Sequence, residues 1–117
     1  MSDNVFWVVE LAIKPGQLDA FKALMNDMVK ATKANEPGAL NYEWFINKDG
    51  TKCHIYERYA DSAAVIVHMG NFASFGERWV ATVETVGMTV YGTPSDEVKA
   101  IMAGSGVLMA PLGGFVR

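Results

Sequence analysis

Residues 5–13 read VFWVVELAI, and this stretch decides which fold the rest of the chain must complete. Its β-branched and aromatic residues are typical of a β-strand. Because alternate side chains of a strand point to opposite faces, one face carries Val5, Trp7, Val9, Leu11 and Ile13 and the other carries Phe6, Val8, Glu10 and Ala12. Both faces are largely apolar, so the fold has to cover both of them.

The segments after this strand predict the first half of a small α+β domain. From Gln17 onward, apolar residues recur at steps of three and four, which predicts an amphipathic helix of about five turns. Pro37-Gly38 ends that helix. Two strands, residues 39–47 and 51–59, then flank Asp49-Gly50, a dipeptide that strongly favours a β-hairpin.

The second half of the chain completes the ferredoxin-like order β-α-β-β-α-β. The predicted segments are a helix over 60–70, a break at Gly70-Asn71, a second helical stretch over 72–86 and a strand over 87–92. Asp61 or Ser62 is the expected N-cap of the first of these helices. We therefore expect an antiparallel sheet with its helices on one face.

Residues 93–117 are expected to extend a single domain whose core is residues 5–92. Ser95 or Asp96 is a candidate N-cap for a short C-terminal helix. Residues 107–116 read as an extended tail, since their proline and paired glycines suit a central strand poorly. We expect the final APLGGFVR to help cover the sheet or a partner.

The next two strands also have two apolar faces. On the first of them, Leu40, Tyr42, Trp44 and Ile46 share a face opposite Asn41, Glu43 and Phe45. On the second, Cys53, Ile55, Glu57 and Tyr59 share a face opposite His54, Tyr56 and Arg58. About three helices are too few to cover both faces of such a sheet. A second copy of the sheet is the simplest cover, which predicts a homodimer. The alternative is that the C-terminal tail folds over the second face.

Composition excludes several classes of protein. Half of the 117 residues are hydrophobic, a fifth are charged and the net charge is −3, so the chain is globular and lacks the basic stripe of a nucleic-acid-binding protein. The single cysteine, Cys53, excludes a disulfide within the chain and fits a reducing compartment. Neither a signal peptide nor an apolar run of about 20 residues is present. We therefore expect a cytoplasmic protein without a membrane partner.

His68 is the main candidate for chemistry, because it is the one titratable residue in an otherwise apolar run from Ala63 to Met69. It either fills the core with a partner such as Glu57 or borders a ligand pocket, where an imidazole can donate and accept protons near neutral pH. Glu57 has a second possible role, since Glu43 on the neighbouring strand would form a carboxylate pair with it if the register allows.

The other candidates carry weaker signals. Trp7, Tyr42, Trp44, Tyr56 and Tyr59 offer flat apolar area for an aromatic ligand, or are plain core. His54 and Cys53 have no sequence context that favours catalysis. The two histidines are not spaced as metal ligands, and no glycine-rich loop has the strand-turn-helix setting of a nucleotide site. We expect neither a metal nor a bound cofactor.

Three segments resemble the antibiotic biosynthesis monooxygenase (ABM) family of the dimeric α/β-barrel superfamily. They are VELAIKPG (residues 9–16), EPGALNYEWF (36–45) and IYERYADSAAVIVH (55–68), and the likeness covers about residues 5–92. The family's run of glutamate, aromatic, small or acidic cap, alanine and histidine corresponds here to Glu57, Tyr59, Asp61, Ala64 and His68. The resemblance implies two sheets facing each other in a dimeric barrel.

The resemblance also implies a function. It points to a small enzyme, an oxidoreductase of the monooxygenase type, that acts on an aromatic or quinone-like metabolite without a bound cofactor. The alternatives are an isomerase or an enzyme that processes lactones or signal molecules, and a non-catalytic ligand-binding homodimer of the stress response. The implied catalytic residues are His68, Glu57 and Tyr59, and the implied substrate-binding residues are Trp7, Tyr42, Trp44 and Phe72.

The sequence departs from two branches of the family. Phenol-oxygenating members carry an asparagine, a tryptophan and a tyrosine at the positions of Ile55, Tyr59 and Val65. Haem-degrading members carry an asparagine, a tryptophan and a histidine ligand near Val9, Tyr59 and Gly76. Neither set is present in this sequence. The resemblance therefore indicates the fold and a candidate pocket, and it does not identify the reaction.

Overall fold

The computed structural model describes residues 3–117 and has the predicted ferredoxin-like α+β architecture. The strands are β1 (Val5–Ile13), β2 (Ala39–Ile46), β3 (Lys52–Tyr59), β4 (Val83–Gly92) and β5 (Val107–Met109). The helices are α1 (Leu18–Asn35), α2 (Ser62–Phe72), α3 (Gly76–Thr82) and α4 (Asp96–Ile101), with a 3₁₀ turn at Ala73–Phe75 between α2 and α3. Among residues 3–117, no helix is long and apolar enough to cross a membrane.

The sheet has the order β2-β3-β1-β4-β5, with β1 at its centre, and it is open at both edges. β1 runs antiparallel to β3 and β4, as predicted. The pairing of β2 with β3 is also antiparallel, so the four core strands are antiparallel as predicted, and β5 of the C-terminal extension adds to the edge in parallel with β4. The segment that contains α4 returns the chain alongside the last residues of β4, Thr89 to Tyr91, so that β5 runs in the same direction.

The core lies between the helices and one face of the sheet. The five inward residues of β1 are all buried, as the alternation in VFWVVELAI predicted: Val5, Trp7, Val9, Leu11 and Ile13. The helices bury apolar side chains against this face, including Leu24 and Met28 of α1 and Val65 of α2. Val98 of α4 is fully buried, so the C-terminal extension supplies part of the core.

Two predicted boundaries were wrong. α2 continues through Gly70 to Phe72, and the interruption comes at the 3₁₀ turn that follows. The helix predicted over 72–86 stops at Thr82, because Val83 already pairs with Ile13 and begins β4. Tertiary pairing overrides the helical pattern at that point. Where β4 passes Glu10 and Leu11 of β1 the register shifts, which leaves Val86 as an extra residue between paired positions.

The outer face of the sheet, which we call the open face, is not covered by the rest of the described chain. Phe6, Tyr56 and Tyr91 form a cluster at its centre, with ring centroids 5.2 Å apart for Phe6 and Tyr91 and 6.3 Å apart for Phe6 and Tyr56. The tail does not fold over this face, since β5 adds to the edge of the sheet and residues 110–117 are exposed.

The start of α2 packs closely on the loop before β2. Asp61 caps the helix by accepting a hydrogen bond from the Ala64 N–H (2.9 Å), as one of the two predicted caps. A methyl group at Gly38 would lie only 2.6 Å from the Ala64 Cβ, so that glycine is required for the close approach. This contact sets the distance between α2 and the sheet.

We expect Gly38→Ala to destabilise the protein by about 1–3 kcal/mol, because the added methyl group overpacks the contact with Ala64. Ala64→Gly alone should cost up to about 1 kcal/mol of helix propensity. The double variant should be more stable than the sum of the two single changes predicts. Urea unfolding of the four proteins measures this coupling, and strictly additive effects would show that the contact does not constrain α2.

Candidate functional site

A row of three side chains crosses the inner face of the sheet. Pairing places Glu57 of β3 opposite Trp7 of β1 on one side and opposite Tyr42 of β2 on the other. This register excludes the predicted Glu43–Glu57 pair, because Glu43 is opposite Tyr56 and lies on the other face. The row therefore brings one carboxyl group between two aromatic rings, beneath the helices.

His68 lies over this row on α2. It is one helical turn beyond Val65, and these two residues are the buried pair of the helix. The imidazole centroid is 5.0 Å from the ring of Tyr59, 5.4 Å from that of Tyr42 and 6.4 Å from that of Trp7. The helix thus holds the imidazole against the sheet with an exposed fraction of only 5 %.

Both ring nitrogens of His68 meet carboxylates. Its Nε2 lies 3.2 Å from Glu57 Oε1, and its Nδ1 lies 2.9 Å from Glu36 Oε1. The Tyr59 hydroxyl donates to the same Glu57 oxygen at 2.6 Å, and the Asn71 amide donates to Glu36 Oε2 at 3.3 Å. Glu36, His68 and Glu57, which we call the buried triad, are each about 95 % buried.

Glu36 is the member that sequence reasoning missed. It follows the last residue of α1, where its N–H bonds to the Thr32 carbonyl, and the sequence reads there simply as a helix stop before Pro37-Gly38. A signal was present, because an acidic residue at a helix C-terminus faces the negative end of the helix dipole. Such a residue needs a compensating partner, and here that partner is His68.

The electrostatics of the triad favour a protonated imidazole. Burial by itself lowers the pKa of His68, but hydrogen bonding to Glu57 and the charges of Glu57 and Glu36 outweigh it, so the pKa is raised above 6.5. The pKa of Tyr59 is raised by burial and then by Glu57, and that of Tyr42 is raised for the same reasons. Tyr59 therefore remains a phenol and donates a hydrogen bond to Glu57.

A cavity of about 460 Å³, the main cavity, opens beside Glu57 and His68. Its wall is apolar over most of its area, with the side chains of Trp7, Val9, Met69, Phe72, Trp79, Val86, Met88 and Met102. Thr85, Val86, Gly104 and Ser105 form an exposed rim on one side. Its size and lining are those of a site for a small, mainly apolar molecule with a few convergent polar contacts.

The residues predicted for the site fall into two groups. Glu57, His68, Trp7 and Phe72 line the main cavity. Tyr59 is fully buried behind Glu57 and does not reach the cavity. Tyr42 contacts the edge of the imidazole, and Trp44 lies in a separate groove with Phe21 and Cys53, so neither is part of the cavity wall.

The remaining candidates lie away from the triad. His54 is exposed on the open face, 3.5 Å from Glu10. Cys53 is buried in the core, and burial raises the pKa of its thiol to about 11, which leaves it a poor nucleophile. Over residues 3–117, the His, Cys, Asp and Glu side chains form no group of three or more that could hold a metal ion.

Because the pKa of His68 is raised on folding, its protonation stabilises the protein below the unfolded pKa near 6.5, and this contribution is lost as the pH rises through the folded pKa. The difference in unfolding free energy between the wild type and His68→Gln should therefore shrink as the pH rises from about 6.5 through the raised folded-state pKa. Denaturant titrations across this window measure it. A difference for His68→Gln that stays constant with pH would contradict the assignment.

Solved structures of this fold resemble the chain closely. MupZ from Pseudomonas fluorescens is 24 % identical, with a TM-score of 0.87 over 99 % of this chain and 96 % of that one. SnoaB from Streptomyces nogalater, a cofactor-independent oxygenase, is 14 % identical, with a TM-score of 0.67 over 80 % of this chain and 96 % of that one. Rv0793 from Mycobacterium tuberculosis is 23 % identical, with a TM-score of 0.64 over 80 % and 96 %. These likenesses show the fold.

No curated protein sequence matches the chain significantly. The family model described as antibiotic biosynthesis monooxygenase matches residues 4–84, which is most of the chain and includes every member of the buried triad. The predicted resemblance is confirmed, and the chain belongs to the antibiotic biosynthesis monooxygenase family.

Proposed function

We propose that the protein is a small-molecule enzyme that binds an apolar, aromatic or quinone-like metabolite in the main cavity and moves a proton on it with His68 and Glu57. The observation that carries this proposal is the imidazole of His68, held between two carboxylates at the wall of an otherwise apolar cavity. Groups with perturbed pKa values that face a cavity are typical of general acid–base sites.

The roles follow from position. His68 Nε2 and Glu57 Oε1 lie 3.2 Å apart and both residues line the cavity, so either can exchange a proton with a bound substrate. Tyr59 holds Glu57 from behind and acts as a positioning residue. The indoles of Trp7 and Trp79 and the ring of Phe72 supply apolar surface against which an aromatic ligand can stack.

Proton transfer without oxygenation is the reaction class that these residues support best. At the positions where oxygenating members of the family carry asparagine and tyrosine, this chain has Ile55 and Val65, which are buried in the core and do not line the cavity. Oxygenation of an acidic phenol is the second candidate, favoured by family membership, since it also begins with removal of a proton. A non-catalytic ligand-binding role is the third.

We further propose that the protein works in the cytoplasm without a bound metal or flavin. Free Cys53 is consistent with a reducing compartment. The acid–base chemistry proposed for His68 and Glu57 uses only side chains of this chain. Elemental analysis and the absorbance spectrum of the protein purified from cells test the cofactor proposal directly, because one metal per chain or a flavin band would contradict it.

His68→Gln should reduce turnover by roughly 10²–10⁴-fold if His68 is the acid–base group. Phenols, quinols and enolisable ketones in D₂O are suitable probes: deuterium incorporation detected by mass spectrometry indicates proton transfer, and oxygen uptake indicates oxygenation. Val65→Ala, one turn earlier on the same face of α2, is the matched control, since it should lose stability and retain activity. Equal losses of activity in both variants would mean that His68 is structural.

We also propose that a second copy of the chain covers the open face and completes a dimeric barrel. Phe6, Val8, Tyr56 and Tyr91 give this face an apolar centre that the chain itself leaves only half-buried. Proteins of this family are typically homodimers, and the exposed residues 110–117 beyond β5 are available to contact a partner.

Sedimentation at micromolar concentration should give about twice the 12.8 kDa chain mass. Val8→Lys should shift the protein towards monomer, because a charge would be buried at the centre of the interface. Val80→Lys is the matched control, since Val80 is 65 % exposed on α3 and lies outside the open face. A monomeric wild type, or equal behaviour of the two lysine variants, would remove the dimer proposal.

A further inference from the structure

A second cavity of about 220 Å³ also borders His68. It is formed by the end of α1 and by the segment from the end of α2 through the 3₁₀ turn. Glu36 lines it, while Glu57 does not. Its rim includes the exposed residues Asn35, Gly70, Asn71 and Ser74, so this second cavity is open to solvent.

The two cavities share only His68 and Phe72. Their rims contain no residue in common, since the rim of the main cavity is built from β4 and the segment after α4. The Nε2 side of the imidazole therefore faces the substrate space through Glu57, and the Nδ1 side faces the second cavity through Glu36. Within residues 3–117, His68 is the one titratable side chain that borders both.

We infer, on the basis of the proposed function, that Glu36 and the second cavity form a proton exit that connects His68 to solvent while substrate fills the main cavity. A bound ligand excludes water from the main cavity, and the first carboxylate, Glu57, then has no solvent route of its own. Glu36 lies 2.9 Å from His68 Nδ1, at hydrogen-bond distance for a proton to pass.

The proton balance is complete without a co-reactant. A proton leaves a substrate O–H or C–H bond for the His68 and Glu57 pair, and the electron pair of that bond stays on the substrate. The proton on His68 Nδ1 then passes to Glu36 and from Glu36 to water in the second cavity. Return of a proton by the reverse path completes an isomerisation, so a hydrogen removed from the substrate mixes with solvent before it is returned.

The groups around the buried triad favour proton transfer from His68 to Glu36 over transfer to the tyrosines on the sheet side. The titratable groups around His68 are Glu57, Tyr59 and Tyr42 on the sheet side and Glu36 at the end of α1. Burial and the nearby carboxylates raise the pKa values of the two tyrosines, so both stay protonated and neither releases its proton into the path. Asn71 orients the outer oxygen of Glu36 and is itself at the solvent rim.

The test measures exchange of the His68 ring protons with water by NMR of protein labelled with ¹⁵N-histidine. Only His54 and His68 contribute signals, and His54→Gln assigns them. The main cavity is filled with 1-naphthol, an acidic phenol, and exchange is compared with and without it. In the wild type, exchange should persist when naphthol is bound, because the path through Glu36 remains open.

Two variants close the proposed exit. Gly70→Leu places a side chain at the rim of the second cavity, where a Cβ meets no atom within 4 Å. Glu36→Gln keeps a hydrogen-bond acceptor but cannot take up the proton, and Glu36→Asp restores a carboxylate. With naphthol bound, we expect Gly70→Leu and Glu36→Gln to slow exchange by about 10²-fold, and Glu36→Asp to recover part of that loss.

Gly76→Leu is the matched control for Gly70→Leu. It also lies in a helix, its Cβ also meets no atom within 4 Å, and it lines neither cavity. Its exchange should equal that of the wild type. The inference is overturned if naphthol stops exchange in the wild type, or if Gly70→Leu and Gly76→Leu behave alike.

Failure of the proposed function can be distinguished from failure of the proton exit. If naphthol does not bind, or binds without perturbing the His68 signals, the substrate proposal fails while the exit can still be tested. Val86→Trp then closes the main cavity in place of the ligand, since Val86 is 64 % exposed on its rim. Persistent exchange in Val86→Trp and slow exchange in Val86→Trp combined with Gly70→Leu would support the exit. Equal exchange in these two proteins would overturn it.

Discussion

The structure depends on one buried interaction, the imidazole of His68 between the carboxylates of Glu36 and Glu57. Burying a charge without a partner is expensive, and removing one partner from a buried ion pair typically costs about 3–5 kcal/mol. The three residues come from the end of α1, from β3 and from the middle of α2. Because each of these residues needs its partners, their contacts hold α1 and α2 in one position over the sheet. That position also forms the main cavity.

The two carboxylates contact different ring nitrogens of His68 and border different cavities. On one side, Glu57 and His68 face an apolar cavity whose wall is completed by Met102, Gly104 and Ser105. These residues lie beyond the part of the chain that the family model matches. The part of the chain that the family shares thus supplies Glu57 and His68, and the C-terminal extension supplies part of the cavity wall, so the wall can vary while the common fold is kept.

Sequence patterns predicted most of the fold because they are local. The alternation in β1, the periodicity of α1 and the Asp49-Gly50 turn each report on a few neighbouring residues, and the structure confirms all three. The boundary at Val83 failed because pairing with β1, a contact distant in sequence, outweighs the local helical pattern. The Glu43–Glu57 pair failed for a related reason, since a shift of one residue in register moves a side chain to the opposite face.

The sequence by itself determined the strand faces, the ferredoxin-like order and the need of His68 for a carboxylate such as Glu57, because these follow from periodicity and from the cost of a buried polar group. Only the tertiary structure decided that Glu36 is the second partner, that Tyr42 and Trp44 lie outside the main cavity, and that a second cavity reaches the same imidazole. Glu36 and His68 are 32 residues apart. Contacts over such a separation arise from how helices pack on the sheet, and no local pattern in the chain encodes that geometry.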